Sequence, residues 1–167
     1  MSFDLKRLSR DDVPAALEKA HRYRLLNEPT DAESICRDVL AVDPENQEAL
    51  VTLTLALSDQ LEDRMAAAYD QARLALSQLK DDYKRHYYAG ILCERRAKAQ
   101  QRRGGPRAGH TVYDWFRQAM EHYEAAAAIR PTGNDDALLR WNACARILNA
   151  HPDLAPEAEE AFRPWLE

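Results

Sequence analysis

The stretch His86-Tyr-Tyr-Ala-Gly-Ile-Leu-Cys93 carries the spacing on which the fold depends, with Gly90 four residues after its first member and three before its last. Three other stretches repeat this spacing, and their residues equivalent to Gly90 are Ala20, Thr54 and Asn142. Ala20 and Thr54 are 34 residues apart, Thr54 and Gly90 are 36 apart, and Gly90 and Asn142 are 52 apart. Such a recurring period indicates a repeat architecture.

The amino-acid composition favours helices throughout the chain. Ala and Leu together number 48 of 167 residues, whereas Val, Ile and Thr together number 14. Ala and Leu are strong helix formers and β-branched residues are typical of strands, so the composition excludes an all-β or a parallel α/β domain. The formal net charge of −5 argues against duplex nucleic acid or an anionic membrane as a partner of the whole molecule.

Apolar residues recur every three or four positions along most of the chain, which predicts an all-α protein of about eight helices. These predicted helices lie at about residues 12–26, 30–42, 46–60, 62–79, 83–102, 111–130, 134–150 and 156–162. Thr30-Asp-Ala-Glu33 has the form of a capping box and is expected to begin the second helix. The run Gly104–Gly109 predicts a loop within a basic insertion at about residues 99–112.

A second spacing accompanies the first, because Ala32-x3-Cys36-x7-Pro44 recurs as Ala119-x3-Tyr123-x7-Pro131. Together the two spacings resemble the tetratricopeptide repeat (TPR), whose pattern of W-x2-L-G-x2-Y, A-x3-F and P spans helix–turn–helix units of about 34 residues. The resemblance covers residues 13–150 and implies three helix pairs plus a terminal helix, stacked as a right-handed superhelix. Residues 1–12 are then an N-terminal arm, and residues 151–167 a C-terminal capping segment.

In the TPR family the first helices of successive pairs line a concave groove, which usually binds a peptide or helix of a partner protein. The resemblance therefore implies a non-enzymatic adaptor or scaffold. Counting helical faces from the small residues predicts a groove lined by Leu17, His21, Arg24, Val51, Leu55, Ser58, Tyr87, Ile91, Arg95, Leu139, Ala143 and Arg146. Its middle, at Val51, Leu55, Tyr87 and Ile91, is apolar, unlike the Lys-, Arg- and Asn-lined grooves with which some family members bind acidic C-terminal tails.

Other uses of an apolar groove stay open. The chain's own ends can cover it, through Phe3, Leu5 and Leu8 or through Phe162 and Trp165. A second copy can insert a terminal helix, which would give a homodimer. A small assembly or secretion chaperone would use the same groove to mask a segment of its client protein.

Six cationic residues surround the Gly-rich run, in a protein whose overall charge is negative. They are Arg95, Arg96, Lys98, Arg102, Arg103 and Arg107, and no acidic residue occurs from Arg95 to Tyr113. One interpretation is a handle for RNA or an acidic partner, since Arg-rich segments bind phosphates with little sequence preference. The other is a solvated helix end whose cations complement the helix dipole.

The sequence contains no catalytic or metal-binding motif. The five His residues are dispersed, and none has a second His or Cys three or four positions away, as a zinc site on one helix needs. No nucleophile elbow or phosphate-binding glycine loop occurs, so we expect no enzyme, metal or cofactor. The three Cys residues lack a C-x-x-C pair, and no signal peptide or spanning helix is evident, which predicts a cytoplasmic protein with no membrane partner.

Overall fold

All regular structure in the computed structural model is helical over the part of the chain that it describes, residues 2–156. A short 3₁₀ helix, Arg10–Asp12, precedes α1 (Val13–Leu25), α2 (Pro29–Val42), α3 (Gln47–Ser58), α4 (Leu61–Ser77), α5 (Asp82–Arg103), α6 (Ala108–Ala128) and α7 (Asp136–Ala150). The predicted all-α class is confirmed, and the first seven predicted helices correspond to α1–α7 in order. The eighth, at residues 156–162, lies outside the described residues beyond Pro156.

Local polar residues begin two of the helices. The side chains of Asn46 and Asp81 each accept a hydrogen bond from the backbone N–H three residues later, at 2.9 Å in α3 and 2.7 Å in α5. The capping box predicted at Thr30–Glu33 is wrong. Helix α2 begins with Pro29, which suits a first helical position because that position needs no N–H donor, and no side chain caps its N-terminus.

Glu33 lies inside the molecule, where it joins α2 to α4. Its carboxylate accepts hydrogen bonds from Arg37 at 2.8 Å, from Gln60 at 2.8 Å and from Arg64 at 2.9 Å. Burial alone would raise the pKa of Glu33, but the hydrogen bonds from Gln60 and Arg37 and the nearby positive charges hold it below its ordinary value. Glu33 therefore bonds to the distant residues Gln60 and Arg64 and does not make the capping interaction predicted at the start of α2.

Consecutive helices pack against each other from α1 to α7, joined by short connections. In addition α1 contacts α3, and α3 contacts α5, so these alternate helices are neighbours on one side of the molecule. The core consists of three buried clusters. One joins α1–α5 around Leu50 and Leu57, one joins α5–α7 around Phe116 and Tyr123, and one joins α1–α3 around Val39.

The small residues of the repeated spacing lie at helix contacts. Ala20, Thr54 and Gly90 are all buried. Gly90 is tightly packed, because a Cβ atom placed there would lie 2.5 Å from Cε1 of Tyr123 on α6. Any side chain at this position would therefore have to displace the Tyr123 ring.

The loop predicted at Gly104–Gly109, within the basic insertion, is shorter in the structure. Helix α5 continues to Arg103 and α6 begins at Ala108, so only residues 104–107 connect them. The backbone reverses there through three residues with positive φ, Gly104 at 66°, Gly105 at 115° and Arg107 at 60°. The other residues assigned to the insertion extend the packed pair formed by α5 and α6.

The two ends of the described chain differ in their packing. Phe3 and Leu5 are 85% and 91% exposed, so they do not cover a groove as one alternative expected, whereas Leu8 packs against the α1–α3 cluster. At the other end Leu154 is buried in the α5–α7 cluster, and His110 Nδ1 lies 2.8 Å from the carbonyl oxygen of Ala155. Phe162 and Trp165 lie outside the described residues.

Among residues 2–156 no helix has the length and apolar character needed to cross a bilayer.

Candidate functional site

A cavity of about 490 Å³ opens beside α1, α3 and α5, and we refer to it as the charged cleft. Five cationic side chains line it: Arg24, Arg95, Lys98, Arg102 and Arg140. Three carboxylates, Asp59, Glu62 and Glu94, also line it. The cleft therefore carries a surplus of two positive charges in a protein whose formal net charge is −5.

Asp59, which follows α3, holds two of these cations together. Its carboxylate accepts hydrogen bonds from Arg24 Nε at 2.8 Å and from Arg95 Nη1 at 2.5 Å. Arg95 also donates to Ser58 Oγ at 2.5 Å and to the backbone oxygen of Leu55 at 3.2 Å. These bonds tie α1, α3 and α5 together at one wall of the cleft.

Glu94 forms the buried wall of the cleft and is 1% exposed. It accepts hydrogen bonds from Tyr123 Oη at 2.6 Å and from Lys98 Nζ at 2.5 Å, and Arg140 Nη1 lies 3.4 Å away. Burial alone would raise the pKa of Glu94, but the hydrogen bonds from Lys98 and Tyr123 and the charges of Lys98 and Arg140 hold it below its ordinary value. The buried carboxylate is therefore ionised at neutral pH and links α5, α6 and α7.

Much of the hydrogen-bonding capacity of the cleft's cations is still available. A guanidinium group carries five N–H donors, yet among the described residues Arg24 bonds only through Nε and Arg95 only through Nη1. Arg102 pairs with Glu62 near the mouth of the cleft, and both side chains are largely exposed. The cleft can therefore accept anionic oxygens without first losing its own ion pairs.

Three of the twelve predicted groove residues line the charged cleft: Arg24, Ser58 and Arg95. The predicted groove positions of Leu17 and Ile91 are wrong, because both side chains are buried in the core and are not exposed in a groove. Leu17 packs with Val39 in the α1–α3 cluster, and Ile91 belongs to the α5–α7 cluster. Of the four residues predicted for the apolar middle of the groove, Ile91 is buried, whereas Val51, Leu55 and Tyr87 are half-buried.

The remaining predicted groove residues lie outside the cleft. Val51 and Leu55 are half-buried against the core, and Tyr87 stacks on Tyr83 with ring centroids 5.7 Å apart. His21 bonds to Glu48 at 2.9 Å, linking α1 to α3. On α7, Leu139 and Arg146 are exposed and Ala143 is half-buried, but none of them lines the cleft.

The six residues of the predicted basic patch are distributed over different surfaces. Arg95, Lys98 and Arg102 line the charged cleft, while Arg96 lies on another side of α5. Arg103, at the end of α5, and Arg107, in the connection, are exposed and have no ion-pair partner among residues 2–156. The structure therefore does not bring the six cations together on one surface.

Arg96 is held between two aromatic rings. Its Cζ atom lies 4.0 Å from the ring centroid of Tyr69 on α4 and 4.2 Å from that of Trp115 on α6. The two rings themselves meet edge to face at 5.3 Å. Two cation–π contacts and the packed aliphatic stem connect three helices through this one side chain.

We predict that Arg96→Ala lowers the free energy of unfolding by about 2 kcal/mol, because both cation–π contacts and the stem packing are lost. Urea unfolding monitored by circular dichroism measures this change. The matched control is Arg103→Ala, an exposed residue of the same helix, for which we expect a change within about 0.5 kcal/mol. Equal stability of the two variants would show that Arg96 is a surface cation.

Comparison of the chain with family models, curated proteins and solved structures found no match. The resemblance to the TPR family therefore depends on the residues quoted above alone. Within residues 2–156, no group of three His, Cys, Asp or Glu side chains is placed to hold a metal ion.

Sequence reasoning missed four of the residues that give the cleft its character: Asp59, Glu62, Glu94 and Arg140. Glu94 and Lys98 form an i,i+4 pair, which is a visible local signal. The pairs Arg24–Asp59 and Arg102–Glu62 join residues 35 and 40 positions apart and leave no such signal. These two ion pairs form only because the tertiary packing brings α1, α4 and α5 together at the cleft.

Proposed function

We propose that the protein is a TPR-like, non-enzymatic binding module that holds an acidic segment of a partner protein in the charged cleft. The observation that carries this proposal is the convergence of five cationic side chains on one cavity in an otherwise acidic molecule. Charge complementarity of this kind steers association and selects partners of opposite charge.

The contacts between helices support a TPR-like superhelix, in which helix pairs stack side by side into a curved array. The backbones of alternate helices approach each other closely along α1, α3 and α5. Among the described residues α2 meets α4, and α4 meets α6, through side chains such as those of Glu33 with Arg64 and Tyr69 with Trp115. A stack of hairpins whose first helices lie closer together than its second helices curves toward the first helices. The charged cleft lies on that inner side, because Arg24 is on α1, Ser58 on α3 and Arg95 on α5.

The cleft favours carboxylates on a flexible peptide over a folded anionic surface. Arg95 is half-buried beneath the rim, where an extended chain can reach its remaining donors. Each charge-assisted hydrogen bond contributes about 1.5–3 kcal/mol in such surroundings, so a few of them suffice for micromolar binding. The overall charge of −5 opposes the approach of a large polyanion from other directions.

The test uses fluorescein-labelled hexaglutamate as the probe and fluorescence anisotropy as the measurement. We expect saturable binding that weakens as salt is raised, since the interaction is between charges. Replacing two cleft cations, in Arg102→Gln plus Arg140→Gln, is expected to weaken binding about tenfold.

The matched control is Arg22→Gln plus Arg103→Gln, which removes the same charge from exposed residues outside the cleft. Equal loss in the two double variants would indicate a general charge effect and contradict the proposal. A hexauridine oligonucleotide that binds more tightly than hexaglutamate would favour the RNA interpretation instead. Far-UV circular dichroism verifies that each variant remains helical.

A further inference from the structure

A second cavity, of about 350 Å³, lies on the opposite face of α5 from the charged cleft, and we refer to it as the outer pocket. Its α5 residues include His86, Ala89 and Cys93, whereas the cleft uses Arg95, Lys98 and Arg102. The pocket residues come first along α5 and the cleft residues follow them, and at 3.6 residues per turn the two sets lie about half a turn apart around the helix axis. They therefore point to opposite sides of α5. The volume is within the range of cavities that bind small molecules.

The polar lining of the outer pocket combines two arginines and two histidines with the hydroxyl groups of Tyr69 and Ser77. Arg73 comes from α4, Arg85 and His86 from α5, and His122 from α6, and no carboxylate lines the pocket. Arg85 is partly engaged, because it pairs with Asp82 and donates to a backbone oxygen. This pocket therefore differs from the charged cleft, where three carboxylates offset five cations.

Three of these side chains have unused hydrogen-bonding groups that face a common space. Within residues 2–156, the polar atoms of Arg73, His86 and His122 form no hydrogen bond with another side chain or with the backbone. The His86 and His122 ring centroids are 6.1 Å apart, a separation that a tetrahedral oxyanion can bridge. Side chains with unsatisfied donors around one cavity are suited to an anionic ligand.

The inner wall of the outer pocket is apolar. Leu76, Leu92 and Cys93 are buried there, and Ala89 lies between them and the mouth. An inorganic anion alone would leave this surface uncovered, so the lining fits a ligand that combines an anionic head with an apolar body.

We propose that the outer pocket binds a small organic phosphate monoester, with its phosphate between Arg73, His86 and His122 and its apolar group against Leu92 and Cys93. A phosphate monoester carries nearly two negative charges at neutral pH and three acceptor oxygens, one for each of the three side chains, whereas a carboxylate has one charge and two oxygens. The site is independent of the charged cleft and its proposed peptide.

The test uses phenyl phosphate as the probe, with two-dimensional NMR following the His86 and His122 ring signals during a titration. We expect saturable shifts at concentrations up to about 5 mM, a range suited to weak ligands. Arg73→Gln and, separately, His122→Gln are each expected to weaken binding about fivefold to tenfold, since each removes one donor to the phosphate. Arg73 is exposed, so its replacement leaves the fold intact.

The charged-cleft variant Arg102→Gln plus Arg140→Gln is the matched control, and we expect its affinity for phenyl phosphate to equal that of the wild type. Inorganic phosphate and phenol test the head and the body of the ligand separately, and each is expected to bind more weakly than phenyl phosphate. Equal affinity of either fragment, a loss confined to the cleft variant, or no saturable shift with phenyl phosphate would overturn the proposal.

Discussion

Gly90→Ala is expected to lower the free energy of unfolding by about 2–3 kcal/mol, although alanine is the better helix former. The new Cβ atom would lie 2.5 Å and 2.7 Å from two ring carbons of Tyr123. That ring cannot move aside easily, because it is fully buried and its hydroxyl group donates to Glu94 at 2.6 Å. The steric cost at this contact therefore exceeds the helix-propensity gain of about 1 kcal/mol.

Urea unfolding of the wild type, Gly90→Ala, Tyr123→Leu and the double variant separates the two effects. In the Tyr123→Leu background the clash is relieved, so we expect Gly90→Ala to be neutral or to stabilise by up to about 1 kcal/mol. A loss of equal size in both backgrounds would contradict the role of the Tyr123 ring.

The features that the sequence predicts well are those that depend on neighbouring residues. Helix class and helix order follow from composition and periodicity, and the repeated spacing contains the small residue Gly90, which lies at a close helix contact in the structure. Asn46 begins α3 about where the pattern predicted. Each of these depends on interactions within a few positions along one helix.

The features that the sequence predicts poorly depend on distant partners. Glu33 has the spacing of a capping residue, but Gln60 and Arg64 bind it instead. Arg95 and Ile91 were predicted on the same groove face, and only Arg95 reaches the cleft, since packing between helices buries Ile91. Helical periodicity predicts which residues share one face of a helix. It does not predict how deeply a neighbouring helix buries each of those residues.

The length of α5 explains why the cleft is charged. Helix α5 ends at Arg103, within one residue of its predicted end, and the chain reverses at residues 104–107. Lys98 and Arg102 therefore continue the inner face beyond Arg95. Acidic residues from α3, α4 and α5 itself partly neutralise this extension. Of the apolar residues predicted for the groove, Leu17 and Ile91 belong to the core, whereas the basic residues Arg24 and Arg95 line the open cleft.

Glu94→Gln is expected to lower the free energy of unfolding at neutral pH by about 2–3 kcal/mol, because it removes the charge that pairs with Lys98 and Arg140. The glutamine retains an acceptor for Tyr123 but places an N–H₂ group among donors. Lys98 and Arg140 are each more than one-third exposed, and their hydration limits the loss.

The pH dependence distinguishes lost charge from lost packing. The pKa of Glu94 in the folded protein lies below its ordinary value. Its carboxylate therefore stabilises the folded state at pH values above the ordinary pKa, and this contribution disappears as the pH falls through the folded pKa. Wild-type stability should therefore decline more steeply than that of Glu94→Gln between about pH 5 and pH 3, and the two should converge.

The control for this measurement is Glu121→Gln, which removes a carboxylate from the exposed surface of α6. We expect its stability to follow that of the wild type within about 0.5 kcal/mol across the range. A difference between the wild type and Glu94→Gln that stays constant with pH would mean that shape, and not charge, gives Glu94 its importance.

Because the same carboxylate lines the cleft, hexaglutamate should bind Glu94→Gln at least as tightly as the wild type at neutral pH, provided that the variant is folded. Weaker binding by the folded variant would mean that Glu94 orients Lys98 and Arg140 for the ligand, since the loss of a negative charge by itself can only favour an acidic peptide.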